Sequence, residues 1–174
     1  MEQLVKKAQS GDKDAFLVLM EENKLALSRA AMAILHNEED VADAVAETVY
    51  KAFYKLKDLR QPKYFKTWMT RILIRNCYDL LHSRNGLVSE DLAPETGYEE
   101  ERETSLDVRA SMAELGENDR LVLTLYYLND IAVKDIAKLL SISESAVKAR
   151  LVHGRKKFRQ VYEHRETGEG LTHA

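Results

Sequence analysis

The sequence is poor in residues that interrupt helices or cross-link a chain. Its 174 residues include two prolines, seven glycines and a single cysteine, Cys77. One cysteine excludes an internal disulfide framework and suits a reducing compartment. Long apolar runs are also lacking, and the first residues, MEQLVKKAQSGD, contain no apolar segment typical of a signal peptide. We therefore expect a helical protein of the cytoplasm with no membrane span of its own.

Motifs that carry catalysis or bind metal ions are missing as well. There is no HExxH, P-loop or GxSxG motif, and the five histidines are scattered without a helical i, i+4 pair. Cys77 falls on an apolar stripe, where a thiol more often packs than acts as a nucleophile. The sequence predicts no enzymatic activity, no cofactor and no metal site.

Charge is distributed in blocks along the chain. Residues 1–50 carry a net −5 and residues 51–84 a net +7, whereas residues 85–120 carry −8 and residues 121–174 carry +3. Two basic zones separated by an acidic one indicate two places where phosphate could bind. Solvated helix faces would account for the same charges, so the pattern alone leaves both readings open.

Apolar residues recur at spacings of three and four in both halves, which predicts amphipathic helices. Asp12 and Asn37 are placed as N-caps, and a loop is predicted around Pro62, over residues 57–67. Residues 85–104 are acidic, rich in turn formers and without periodicity. The predicted fold is all-α, with helical domains at 1–84 and 105–162, a flexible acidic linker at 85–104 and a polar tail at 163–174.

The segment from Val133 to Arg159 has the pattern of a helix-turn-helix. A short helix, Val133–Leu140, is followed by a tight connection in which Ser143 is the expected N-cap. The second helix would bury four residues spaced by four, three and four positions: Val147, Leu151, Gly154 and Phe158. Its opposite face would present Ser145, Lys148, Ala149, Val152 and Lys156, with His153 alongside. Such a helix fits the major groove of DNA.

Cations dominate the second helix. Between Lys148 and Arg159 there are six basic residues and no acidic one. Six cations can neutralise phosphates and set the register of a protein on duplex DNA, and Arg155 is expected among the phosphate contacts. A basic amphipathic helix that packs on another protein is the alternative reading.

Taken together, these segments resemble the extracytoplasmic-function (ECF) group of bacterial RNA polymerase sigma factors, from about Leu4 to Arg159. The helix DVADAVAETVYKAFYKL is similar to the family's segment that grips the clamp of the largest polymerase subunit. Asp43 and Glu47 stand at matching positions, so the resemblance implies that they bind polymerase. Ala46 stands where the family often has glutamine.

The run FKTWMTRILIRNCYDLLHSR resembles the family's helix that opens the −10 promoter element. The resemblance implies that the preceding loop, from Lys57 to Tyr64, holds a flipped single-stranded base with Asn76 nearby. Such a base needs stacking and hydrogen-bonding groups beside cations for the backbone. The implied −10 contacts are Lys63, Tyr64, Lys66, Arg71, Arg75 and Asn76. The residues alone leave open whether Asn76 is satisfied locally or directed at a partner.

The helix-turn-helix resembles the family's reader of the −35 element. Lys148, Ala149, Val152 and His153 match its DNA-contacting face, and Ser145, Arg155 and Lys156 complete the implied site. His153 stands where arginine is frequent, and Ser141 and Ala146 stand where glycine and threonine are common. The base preference of relatives therefore does not transfer to this chain.

The resemblance implies a sigma factor that binds core RNA polymerase, recognises −10 and −35 elements and assists promoter opening. It also implies an anti-sigma partner, since such proteins commonly hold family members inactive. The alternative is a conventional dimeric helix-turn-helix transcriptional regulator. That reading explains the carboxyl-terminal half equally well, but not the net +7 of residues 51–84.

Overall fold

A computed structural model of the chain describes residues 1–85 and 106–166, which divide into two compact units. Both described ranges are helical and contain no strand, which confirms the predicted all-α fold class. Apart from Asn85, the predicted linker lies outside the described residues, as do residues 167–174 of the predicted tail. None of the helices in these ranges has the length and apolar character that crossing a membrane requires.

Residues 1–85 of the first unit form four helices and two short 3-10 turns. The helices are α1 (Glu2–Gln9), α2 (Lys13–Leu35), α3 (Glu38–Lys55) and α4 (Phe65–Asn85). The 3-10 turns, Leu56–Asp58 and Pro62–Tyr64, connect α3 to α4. The loop predicted over 57–67 is therefore wrong at its end, because residues 65–67 already form the first turn of α4.

Side-chain caps begin two of these helices at the predicted positions. The Asp12 carboxylate accepts a hydrogen bond of 2.9 Å from the backbone N–H of Ala15 at the start of α2. The Asn37 side-chain oxygen accepts one of 2.9 Å from the backbone N–H of Asp40 at the start of α3. Each cap satisfies a donor that the first helical turn leaves unpaired.

Helices α2, α3 and α4 pack against one another, and α1 packs against α2 and the connection before α4. Phe65, Met69 and Leu73 of α4 are buried at spacings of four, as the apolar stripe predicts. Cys77 continues this stripe and is fully buried. Burial raises the pKa of its thiol to about 12, so Cys77 stays an uncharged core residue at neutral pH.

The described part of the second unit, residues 106–166, also contains four helices. They are α5 (Leu106–Ala113), α6 (Glu117–Leu123), α7 (Val133–Leu140) and α8 (Glu144–Glu166). A π-helical turn, Thr124–Leu128, extends α6. Helix α8 continues four residues into the predicted tail, and the Arg165 guanidinium lies 2.6 Å from the Glu114 carboxylate.

The connection between α7 and α8 is the predicted three-residue turn. Ser141 adopts the left-handed conformation, with φ 54° and ψ 42°, which gives a physical reason for glycine being common there. The Ile142 N–H then donates to the carbonyl of Ala137 at 3.0 Å. The Ser143 hydroxyl accepts from the N–H of Ala146 at 3.1 Å, which confirms the predicted cap.

Helix α8 is the element against which α5, α6 and α7 all pack. Val147, Leu151 and Gly154 are buried as predicted, whereas Phe158 is only half-buried. A Cβ atom at Gly154 would lie 2.9 Å from Leu123 Cδ1 and 3.3 Å from the Asp119 Cβ. Helix α6 therefore packs closely against α8 at this glycine.

Filling the space at Gly154 should destabilise the second unit. We expect Gly154→Leu to lower its free energy of unfolding by about 1–3 kcal/mol, because α6 must move away from α8. Leucine is a good helix former, so helix propensity cannot cause the loss. Amide hydrogen exchange of residues 117–128, followed by mass spectrometry, measures the change. Ala149→Leu on the exposed face of α8 is the matched control and should shift stability by less than about 0.5 kcal/mol; equal protection in the two variants would contradict the packing.

Candidate polymerase and nucleic-acid interfaces

One face of α3 is exposed and acidic. Asp43 and Glu47 lie four residues apart, so their side chains share this face, and both are exposed. Glu47 forms an ion pair of 3.2 Å with Lys51, one turn further along. The opposite face of α3 is buried against α2 and α4 by Val41, Ala44, Thr48 and Ala52. The acidic pair is therefore presented to solvent on a rigid helix.

Phe53 is not part of the buried face of α3, although its position continues the apolar spacing of this helix. This side chain is 48% exposed and meets the Phe16 ring edge-on, with the ring centroids 5.2 Å apart. Tyr50 and Tyr54 on the same part of α3 are also exposed, and their rings contact each other. At this end of α3 only Ala52 and Leu56 are buried, so the buried face is narrower than the apolar spacing suggests.

Asn76 belongs to the interior of the first unit. It is 3% exposed, and its amide donates to the Thr48 hydroxyl at 2.9 Å and accepts from Lys51 Nζ at 2.6 Å. Thr48 in turn donates to the Ala44 carbonyl at 2.7 Å. Of the two readings left open, local satisfaction is therefore what the structure shows. Through Lys51 these bonds join α4 to Glu47 on the acidic face of α3.

The connection between α3 and α4 is held in place by α1. Gln9 Nε2 donates to the carbonyls of Leu56 and Leu59, at 3.0 and 2.8 Å. These bonds hold the beginning of the predicted base-holding loop in place. Further along, Lys63 and Tyr64 are both exposed, and Lys63 Nζ lies 4.9 Å from the centroid of the Tyr64 ring. The loop thus offers a cation and an aromatic face together.

Helix α4 adds exposed cations to this loop. Arg71 and Arg75 are exposed and lie one turn apart on one face. Lys66 is exposed too, but five residues of helix rotate it about 140° away from Arg71. The structure thus brings Arg71 and Arg75 together, whereas Lys66 lies at the first turn, next to Lys63 and Tyr64 in the sequence.

Helix α8 carries the exposed face predicted for duplex DNA. Ser145, Ala149, Val152 and Lys156 are exposed and recur at spacings of three and four, so they form one stripe. Lys148 and Arg155 lie along one flank of this stripe and His153 along the other. All seven predicted contact residues are exposed, so the structure brings the whole predicted set onto one accessible surface.

Two of these side chains are held by neighbours. Arg155 Nε donates to the Leu151 carbonyl at 3.0 Å, and its guanidinium donates to the Tyr127 hydroxyl at 3.2 Å. His153 Nδ1 lies 2.6 Å from the Asp119 carboxylate on α6. Both groups are thereby oriented before any ligand arrives, which lowers the entropy cost of binding.

Sequence reasoning assigned no role to Gln9, Lys51, Asp119 or Tyr127. Each acts on a residue at least 25 positions away in the sequence, so no local spacing could reveal it. Within the ranges the structure describes, no three His, Cys, Asp or Glu side chains come together in a way that could hold a metal ion.

Removing the Asn76 side chain should weaken the packing of α3 on α4. We expect Asn76→Ala to lower the free energy of unfolding of the first unit by about 1–3 kcal/mol, through lost buried hydrogen bonds and a small cavity. Urea unfolding followed by Trp68 fluorescence measures this, because Trp68 is the sole tryptophan and lies in that unit. Arg75→Ala, at the exposed neighbouring position, is the control and should unfold within about 0.5 kcal/mol of wild type. A wild-type transition for Asn76→Ala would show that the buried bonds contribute nothing.

Two family models match the chain in the positions of the two units. The model described as Sigma-70 region 2 matches residues 19–86, which include most of α2 and all of α3 and α4. The model described as Sigma-70, region 4 matches residues 105–158, which include α7 and most of α8.

Whole-length relatives agree with this assignment. The RNA polymerase sigma factor SigV of Bacillus subtilis is 26% identical over 134 residues, which are 75% of this chain and 81% of SigV. The ECF sigma factor SigM of Mycobacterium tuberculosis is 23% identical over 165 residues, 93% of this chain and 84% of SigM.

A solved structure of CnrH in complex with the cytosolic domain of CnrY matches with a TM-score of 0.67 and 25% identity, over 93% of this chain and 96% of that chain. A dimeric regulator would not account for a region 2 match ahead of the helix-turn-helix. The chain therefore belongs to the ECF group of sigma-70 factors and directs promoter-specific transcription.

Proposed function

We propose that the chain binds core RNA polymerase through α3 and holds promoter DNA at two places, through the loop with α4 and through α8. One observation carries this proposal: the first unit has an exposed acidic pair on α3 and exposed cations on α4 and the loop. A polyanion is attracted to the cations and repelled by the acidic pair. The two surfaces of one small unit therefore suit different partners.

The acidic face of α3 would bind the clamp of the largest polymerase subunit, through Asp43 and Glu47. Both carboxylates stand on a helix whose opposite side is fully packed, so docking needs no rearrangement of the backbone. Glu47 forms an ion pair with Lys51, and Lys51 donates a hydrogen bond to Asn76 on α4. These two interactions restrain the Glu47 carboxylate.

The −10 element would be held as a single strand by the loop and α4. Tyr64 offers a ring on which a base can stack, and Lys63, Lys66, Arg71 and Arg75 offer charge for the phosphates. We assign Asn76 to this site as a positioning residue rather than a DNA contact, because it is buried and bonded to α3. Gln9 supports the loop in the same sense, from α1.

The −35 element would be read as duplex by the exposed stripe of α8. Ser145, Lys148, Ala149, Val152 and His153 are exposed and would contact base edges in the major groove, and Arg155 and Lys156 would contact phosphates. Two small or apolar residues in the stripe suit contact with thymine methyl groups. The role of the whole chain in this proposal is binding and positioning, with no catalytic step, cofactor or metal of its own.

An anti-sigma protein is the third proposed partner, after RNA polymerase and promoter DNA. The matching CnrH structure is a complex with the cytosolic domain of CnrY, and a second match, at 18% identity, is a sigma factor RpoE from Bartonella quintana in complex with the anti-sigma factor NepR. Binding to RNA polymerase would place the protein at work in the cytoplasm.

The acidic pair is tested by neutralising it. We expect Asp43→Asn combined with Glu47→Gln to weaken binding to core polymerase about tenfold or more, since two charges of a docking surface are lost. Fluorescence anisotropy of the labelled full-length chain, titrated with core polymerase, gives the affinity.

The matched control is Asp14→Asn combined with Glu22→Gln, which removes two exposed carboxylates from α2. It should bind polymerase as the wild type does. Equal losses in the two double variants would mean that net charge alone is felt, and the assignment of α3 as the docking surface would fall.

The phosphate role of Arg155 is tested by salt. Arg155→Ala should weaken duplex binding across sequences and flatten the plot of log affinity against log salt by about 0.9, the value of one phosphate. Lys148→Ala should also weaken binding and relax the choice of bases, which is measured on the same duplexes. Lys24→Ala, which removes an exposed cation from α2, is the charge-matched control. A slope for Arg155→Ala equal to that of the control would contradict the phosphate contact.

A further inference from the structure

Asp119 and His153 form a close pair at the edge of the exposed stripe of α8. His153 Nδ1 lies 2.6 Å from the Asp119 carboxylate, and the two side chains differ in accessibility. The imidazole is 69% exposed, whereas the carboxylate is 15% exposed. The acid is therefore set back within the unit, and the imidazole in front of it faces solvent beside Val152 and Lys156.

The packing of α6 on α8 holds the carboxylate at this place. Asp119 lies in the first turn of α6, where its N–H donates to the Gly116 carbonyl at 3.1 Å. A Cβ atom at Gly154 would lie 3.3 Å from the Asp119 Cβ. Because position 154 carries no side chain, α6 comes near enough for Asp119 to reach the residue that precedes this glycine.

The contact decides which ring nitrogen can meet a ligand. A carboxylate accepts hydrogen bonds and does not donate them, so the nitrogen facing Asp119 carries the hydrogen. In the neutral ring the other nitrogen, Nε2, is then an acceptor with a free lone pair. This arrangement of carboxylate and imidazole also fixes the orientation of the ring, as it does where histidine binds metals.

We infer that Asp119 is a positioning residue that makes His153 Nε2 a fixed hydrogen-bond acceptor for an exocyclic amino group of a base in the major groove. Adenine N6 and cytosine N4 are the amino groups displayed there. The inference rests on the proposed reading of duplex DNA by α8 and adds the chemistry that one of its residues recognises. An arginine, frequent at this position in the family, can only donate, so this chain would read a different group there.

The first part of the test needs no DNA. In the full-length chain, ¹⁵N chemical shifts of the histidine rings distinguish a hydrogen on Nδ1 from one on Nε2, and the spectrum of His153→Ala identifies the signal. We expect the hydrogen of the neutral ring on Nδ1 in the wild type and a mixture of the two forms in Asp119→Ala. A hydrogen on Nε2 in the wild type would overturn the inference, whatever the DNA experiments show.

The second part deletes single groups from the DNA. Selection from a randomised upstream element, with the full chain bound to core polymerase, first identifies the base pair whose preference disappears in His153→Ala. At that position, adenine is then replaced by purine, or cytosine by 2-pyrimidinone, which lack the amino group. We expect the wild type to lose affinity about two- to tenfold, the value of one hydrogen bond. His153→Ala and Asp119→Ala should lose nothing further.

Glu144→Ala is the matched control, because it removes an exposed carboxylate from the first turn of α8, nine residues before His153. It should remain as sensitive to the missing amino group as the wild type. Indifference of the wild type to that group, or unchanged sensitivity in Asp119→Ala, would overturn the inference while leaving duplex reading by α8 intact. If the wild type selects no upstream sequence at all, the proposed −35 function itself fails, and the inference with it.

Discussion

In two helices of this protein, the requirements of the buried face oppose those of the exposed face. Helices α4 and α8 each bury one face in a small core and leave cations on another. The buried face must be apolar and closely packed, since a small unit has little other stabilising surface. The exposed face must keep several like charges together, which destabilises the folded state until a polyanion binds. The packing of the neighbouring helices against α4 and α8 offsets this charge repulsion.

In the second unit, the close packing of α6 against α8 offsets the repulsion between the exposed cations. Val147 and Leu151 are buried, and Gly154 lets α6 approach until a Cβ would touch Leu123. The same approach brings Asp119 to His153, and the turn that follows α6 brings Tyr127 to Arg155. The core contact and the orientation of two side chains of the proposed −35 site thus have one cause. In the first unit, the hydrogen bonds of Asn76 hold α4 against α3.

Local rules were sufficient for the architecture. Asp12, Asn37 and Ser143 were recognisable as caps because a short polar side chain preceded an apolar period, and each makes the expected bond. The tight turn and six of the seven exposed positions of α8 followed from helical spacing in the same way, and Arg155 followed from the cluster of basic residues. Rules of this kind depend on residues within about one turn of each other, which the sequence displays directly.

The contacts that sequence reasoning missed are all long-range. Gln9 reaches the carbonyls of Leu56 and Leu59, and Asp119 reaches His153, across 34 to 50 residues of sequence. Whether such side chains meet depends on how the helices pack, so composition and period carry no signal for them. The same limit explains Asn76, whose polarity was evident but whose partners on α3 were not.

This chain should make core polymerase start transcription at defined promoters. Runoff transcription with core polymerase, on a library in which both upstream elements are randomised, tests it most directly. Adding the chain should produce transcripts from templates that share two sequence elements at a fixed separation, and polymerase alone should not. Transcripts that are independent of the chain, or templates that share no element, would contradict the claim.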